Sequence, residues 1–154
     1  MNTLKAGDKA PSFILQDQND NTVSLADFAG KKVVVYFYPK AMTPGCTVQA
    51  QGLRDQQQAL IDAGAVVFGI SPDPVARLKK FENKESLNFT LLSDPEHKTA
   101  EDFGVWGLKK FMGKEYDGIH RITFIIDEQG IISEVLNKFK TKDHHQVVLE
   151  HLAN

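Results

Sequence analysis

Val33–Asp55 reads VVVYFYPKAMTPGCTVQAQGLRD, and its two halves follow different periods. Val33–Tyr38 is almost unbroken β-branched and aromatic sequence, the pattern of a strand covered on both faces in the middle of a sheet. From Thr43 the pattern becomes helical. Thr43-Pro44 places a capping side chain before a proline at the first helical position. Cys46, Ala50, Leu53 and Leu60 then recur on one apolar face, interrupted by Gln57, while Gln51, Arg54, Asp55, Gln58 and Asp62 form the polar face. Gly64 ends this helix as a C-terminal glycine. The stretch is a buried strand, a short loop and a helix whose first turn carries the only cysteine in the chain.

The rest of the chain repeats this arrangement. Val66–Ile70 and Ile122–Ile126 are strands of the same buried kind, and Asp73-Pro74 and Asp94-Pro95 repeat the helix-start signal. Gly104 marks another helix end. Before the first buried strand, Phe13–Leu15 and Thr22-Val23 flank the polar QDQNDN as a small hairpin, followed by a helical turn at Ser24–Asp27. Asp127–Gly130 joins two late strands, and Asp143–Leu152 reads as a closing helix. The predicted order is a hairpin followed by β-α-β-α-β-α-β-β-α. This is an α/β protein with a thioredoxin-like layout: a central mixed sheet flanked by helices, an N-terminal β-hairpin, and one domain over residues 1–154.

Composition limits the function classes. With 18 Lys+Arg against 20 Asp+Glu the net charge is −2, and no block of like charge forms a nucleic-acid or membrane-surface footprint. The apolar runs are too short to span a membrane. Met1–Pro11 lacks the apolar core of a signal peptide, so a cytoplasmic location is expected. A single cysteine excludes an intramolecular disulfide, a CxxC redox pair and a Cys-rich zinc site. The five histidines show no strong ligand spacing, so neither a metal nor a cofactor is expected. Adjacent His144 and His145 point in different directions on a helix and are expected to be solvated or capping residues.

A lone cysteine is most often a small buried hydrophobe. Here, however, Pro44, Gly45 and Cys46 would be the first helical residues, which places the thiol among unpaired N–H groups at the positive end of the helix dipole. That setting favours thiolate. Ionisation alone adds roughly thirtyfold in nucleophile at neutral pH, so an efficient thiol enzyme also needs groups that position substrate and stabilise charge. Thr43 offers a hydroxyl three residues before the sulfur. Arg121, at the mouth of the strand ITFII and one of only three arginines with Arg54 and Arg77, is either a functional cation or a strand-end solubiliser.

The motif Pro39-x-x-x-Thr43-x-x-Cys46 resembles the active-site signature of peroxiredoxins. The wider FYPKAMTPGCTVQAQGLRD, GISPDP, NFTLLSDPEHK and GIHRITFIID resemble the bacterioferritin comigratory protein (Q-type) branch, from about Lys5 to about Leu152. The resemblance implies a thiol peroxidase acting on hydrogen peroxide and small organic hydroperoxides. In it Cys46 is the nucleophile that becomes a sulfenic acid, Thr43 hydrogen-bonds the peroxide, Arg121 stabilises thiolate and transition state, and Pro39 shields the pocket. One departure stands out. Where many relatives carry a resolving cysteine five residues later, this chain has Gln51, and a second location used in some relatives falls near Ala100. Helix residues i and i+5 lie about 8.6 Å apart, beyond the roughly 7 Å that a disulfide spans, so two-cysteine relatives must unwind the helix. This chain need not. The resemblance implies recycling by an external thiol, whether thioredoxin, glutaredoxin with glutathione, or a small thiol, and a monomer or at most a weak dimer.

The sequence leaves three other readings. A thioredoxin-type reductase requires CxxC and a cis-proline, whereas position 49 is Gln and His120-Arg121 occupies the place of the proline. A cysteine hydrolase would have only His120 as a base. A thioredoxin-like binding module with an unreactive cysteine predicts no peroxide consumption.

Overall fold

The structure, a computed structural model, describes residues 1–153. The elements run β1 (Ile14–Asp17), β2 (Thr22–Ser24), a 3-10 turn (Leu25–Phe28), β3 (Lys32–Phe37), α1 (Pro44–Asp55), α2 (Gln57–Asp62), β4 (Ala65–Ser71), α3 (Val75–Glu85), β5 (Thr90–Ser93), α4 (Lys98–Phe103), β6 (Trp106–Phe111), β7 (Lys114–Ile119), β8 (Thr123–Ile126), β9 (Ile132–Leu136) and α5 (His144–Leu152). The main sheet is 7-stranded, in the order β2-β1-β5-β4-β3-β8-β9. Its β3, β4 and β5 are mutually parallel, while β8, β9 and the N-terminal hairpin pair antiparallel. This is the mixed, helix-flanked sheet expected from the sequence, and the hairpin extends it through β1 and β5.

Because side chains alternate across a strand, β3 divides the core in two. Val34, Tyr36 and Tyr38 point to the face covered by α1, α2, α3 and α5, where Cys46, Leu53, Leu60, Phe81 and Val148 pack. Val33, Val35 and Phe37 point to the other face, against Phe68, Phe103 and Phe124. Both faces are buried, as the near-continuous apolar strands require.

The structure corrects four local expectations. The first helix is interrupted at Gln56 (φ −106°, ψ 15°), which separates α1 from α2 while keeping Leu60 on the buried side. Of the three Pro-marked starts, only Thr43-Pro44 has proline at the first helical position. Pro74 is itself the residue before α3, and α4 starts at Lys98. Asp94 still caps α4 from further back, its carboxylate accepting the N–H groups of Thr99 and Ala100; burial raises its pKa in spite of those bonds. The third correction is a hairpin the sequence reading omitted, β6–β7, paired as its own 2-stranded sheet. Its turn residues Met112 and Gly113 both have positive φ, 51° and 79°, which suits the mirror-image turns of two-residue hairpins. Finally, His144 is neither solvated nor a cap. It is fully buried and shares a 2.8 Å hydrogen bond through Nε2 with the Thr123 hydroxyl. Burial, then His145 and Arg121, pushes its imidazole pKa down to about 3.

Candidate active site

The site lies where β3 runs out of the sheet. Tyr38 still donates its N–H to the Ile70 carbonyl. The chain then crosses Pro39–Met42 and enters α1 with Thr43 as the extended residue before the helix (φ −86°, ψ 156°). The first helical bond runs from the Thr47 N–H to the Thr43 carbonyl. The N–H groups of Gly45 and Cys46 therefore precede the intrahelical ladder and face the loop end of the helix. Thr43 does not cap them. Its hydroxyl donates instead to the Lys40 carbonyl at 2.8 Å, leaving the helix start open to a ligand oxygen.

Arg121 reaches this end through sheet register. Antiparallel pairing sets Tyr36 opposite Thr123, so the residue two places earlier on the β8 side falls beside Tyr38, on the face that carries α1. Its Nη2 donates to Cys46 Sγ at 3.1 Å and its Nη1 to Gln49 Oε1 at 2.9 Å. Gly45 lies against this contact: a Cβ there would sit 3.2 Å from Arg121 Nη2 and crowd the guanidinium. Cys46 is 1% exposed. A guanidinium donating to a buried sulfur forms a charge-assisted hydrogen bond, the geometry that holds an anionic sulfur in place.

Gln49 is the site residue that sequence reasoning missed. It is fully buried, one turn after Cys46, and orients the guanidinium through one nitrogen while the other meets the sulfur. Beneath them Tyr36 and Tyr38 stack at 5.3 Å, and burial raises both phenol pKa values, Tyr36 well above the usual range. The structure thus brings Cys46, Gln49 and Arg121 into one hydrogen-bonded group and places Thr43 at the same helix start. Pro39 is half-buried and lines a 280 Å³ cleft with Pro72, Trp106, Lys109 and Ile119. Lys109 donates to the Ile119 carbonyl at 2.8 Å; burial lowers its pKa, with Arg121 adding to the effect. A larger cavity of 670 Å³ lies at the opposite end of β3, around Gly30–Lys32 and Ala63–Val66, away from Cys46.

Gln51, assigned to an exposed face from sequence, is half-buried, and its Nε2 donates to Glu85 Oε1 at 2.9 Å. His120 lies away from the thiol: its Nε2 is 3.1 Å from the Leu108 carbonyl. Among the described residues no cluster of three His, Cys, Asp or Glu side chains could hold a metal. No helix among them is long and apolar enough to cross a membrane.

Comparison with known proteins identifies the family and the fold. Residues 6–135 match the AhpC/TSA family. The chain is 60% identical over 154 residues to the putative peroxiredoxin bcp of Haemophilus influenzae, covering 100% of this chain and 99% of the relative. It is 61% identical over 152 residues to peroxiredoxin Bcp of Escherichia coli, covering 99% and 97%. Among solved structures, peroxidoxin BcpB of Mycobacterium tuberculosis superposes with a TM-score of 0.86 at 34% identity, covering 97% of each chain. A PrxQ of Xylella fastidiosa superposes with a TM-score of 0.93 at 27% identity, covering 99% and 98%.

Proposed function

The chain belongs to the AhpC/TSA family and is a peroxiredoxin, a thiol-dependent peroxidase, and from that premise we propose how its residues divide the work. Cys46 is the nucleophile. Its thiolate attacks one oxygen of the peroxide, the O–O bond breaks, sulfur becomes a sulfenic acid, and the departing oxygen leaves as water or alcohol after taking a proton. Arg121 acts where charge moves from sulfur to the leaving oxygen, and Gln49 holds it there. Thr43 and the N–H of Cys46 receive the peroxide at the open helix start, and Pro39 shields that opening. The observation that carries this reading is the 3.1 Å approach of Arg121 Nη2 to the sulfur of buried Cys46.

With one cysteine in the chain, recycling comes from outside. A thiol condenses with the sulfenic acid to give a mixed disulfide and water, and a second thiol releases Cys46 as the external disulfide forms. Thioredoxin, glutaredoxin with glutathione, or a small thiol fill this role. The substrates are hydrogen peroxide and small organic hydroperoxides. The protein acts in the cytoplasm as a monomer or weak dimer, over a single domain.

Peroxide consumption, followed with each reductant supplied in turn, tests the reading. Turnover is expected with at least one of them, and Cys46→Ser should abolish it. After one equivalent of peroxide, intact-mass measurement should show a sulfenic acid on Cys46, and excess peroxide should carry it to sulfinic acid, which thiols do not restore. An unmodified Cys46 after peroxide treatment would overturn the assignment.

A further inference from the structure

The loop that carries Pro39 and Thr43 is held by two side chains with no place in the chemistry above. Ala41, at its midpoint, is fully buried. Its peptide groups lie beyond the β3 ladder, so they need partners of another kind. Asp73 Oδ2 accepts the Ala41 N–H at 2.7 Å, and Arg77 Nη2 donates to the Ala41 carbonyl at 2.8 Å. The two side chains also face each other, Arg77 Nε lying 3.1 Å from Asp73 Oδ1. Carboxylate, guanidinium and one residue of backbone therefore form a closed ring.

We propose that Asp73 and Arg77 are positioning residues for peroxide reduction, clamping the 39–43 loop so that the Thr43 hydroxyl stays at the mouth of the helix; the proposal rests on the reading of Cys46 and Thr43 given above. The clamp is anchored from behind. The Ser71 hydroxyl donates to Asp73 Oδ2 at 2.7 Å, and the Ser93 hydroxyl donates to the Asp73 carbonyl at 2.6 Å, tying it to the ends of β4 and β5. What it holds is a conformation the loop would not choose alone. Met42, next to Ala41, has φ 66°, unfavourable for a residue with a side chain.

A neutral side chain would satisfy one buried N–H. A charged pair that grips both the N–H and the carbonyl of one residue fixes position and direction together, through bonds stronger than neutral ones. Thr43 follows two residues later, its hydroxyl bonded back to Lys40 inside the same loop. Release of Ala41 thus moves Thr43 without touching Arg121, which reaches the sulfur from the segment just before β8.

That separation defines the test. Asp73→Asn removes the ionic half of the clamp, and Arg77→Lys, at a partly exposed position, keeps the charge but loses the fork. In each folded variant the rate constant of Cys46 with hydrogen peroxide should fall roughly tenfold to a hundredfold, the scale set by small misplacements of reacting groups. Alkylation of Cys46 by iodoacetamide, which does not use Thr43, should stay within about twofold of the parent. In a Thr43→Val background, Asp73→Asn should add little further loss, because the residue it positions is gone. Unchanged peroxide rates in both variants, equal losses in peroxide and iodoacetamide rates, or full additivity with Thr43→Val would each overturn the clamp. A parent chain that does not react with peroxide would overturn the functional reading and the clamp together, so the two failures are distinguishable.

Discussion

The two faces of β3 are built from the same strand and differ in kind. On one, Val33, Val35 and Phe37 meet a set of interlocking rings: Phe28 crosses Phe68 edge-on at 5.0 Å, and Phe37 crosses Phe124 at 6.0 Å. On the other, Tyr36 and Tyr38 share their core with Cys46, Gln49, Thr123 and His144, and the Tyr36 hydroxyl and Gln49 Nε2 find no hydrogen-bond partner among the described residues. The first face gains from burial with almost no polar cost. The second gives up some of that gain to keep polar groups where water is excluded and electrostatic interactions are strong. One face is packed with rings, and the other carries the proposed site.

The contrast breaks most visibly on the ring-packed face. Phe68→Ala removes a fully buried ring that packs on Phe13 and Phe28, and it should cost about 3–5 kcal/mol of stability. Denaturant unfolding measures that loss. Peroxide kinetics on the fraction that remains folded should stay within about twofold of the parent, because sites this independent add without coupling. A large rate effect would erase the distinction between the faces.

Arg121→Ala makes the converse test. It should lower the peroxide rate constant by about 10²–10³, the loss seen when one preorganised donor to a developing charge is removed, while stability changes less than for Phe68→Ala. Stopped-flow measurement at a pH where Cys46 is fully ionised in both proteins separates charge stabilisation from ionisation. Equal rates there would reduce Arg121 to a strand-end cation.

A further test concerns pH. His144 is buried with its pKa held at about 3, against about 6.5 in an unfolded chain. The unfolded state binds the extra proton, so the stability contributed by neutral His144 is complete above about pH 6.5 and is lost as pH falls toward about 3. The groups around it include His145 and Arg121, which disfavour the charged ring, and Asp143, which favours it. Urea midpoints measured between those limits should decline for the parent chain and decline less for His144→Gln. Parallel declines would place the acid sensitivity elsewhere.

Much of this was legible before any coordinates. VVVYFY and ITFII announce buried strands because β-branched and aromatic runs bounded by turn residues have few other uses, and Thr43-Pro44 marks a helix start because proline tolerates the first helical position. The hairpin β6–β7 was hidden because Trp106–Ile119 is largely polar and exposed, with neither a clean alternation nor an Asn-Gly turn. Gln49 looked like one more helical amide. Its only signal is its place three residues after Cys46, beside the apolar stripe of Ala50 and Leu53. His144 escaped because a pair of adjacent histidines has no intrinsic side to bury; Thr123, on β8, decides it. Asp73 and Arg77 could be paired from their i, i+4 spacing, but their hold on Ala41 belongs to tertiary structure alone.

The bond between Arg121 and Cys46 joins residues 75 apart in the chain. At synthesis rates of roughly 5–20 residues per second, the cysteine is made some four to fifteen seconds before the arginine that completes its site. During that interval the sulfur lacks the guanidinium that the finished fold sets against it. β8 cannot pair with β3 until the last third of the chain exists, and the same docking that closes the sheet delivers the cation. The guanidinium contact at the sulfur is therefore a late one, formed only after β8 has been made and paired with β3.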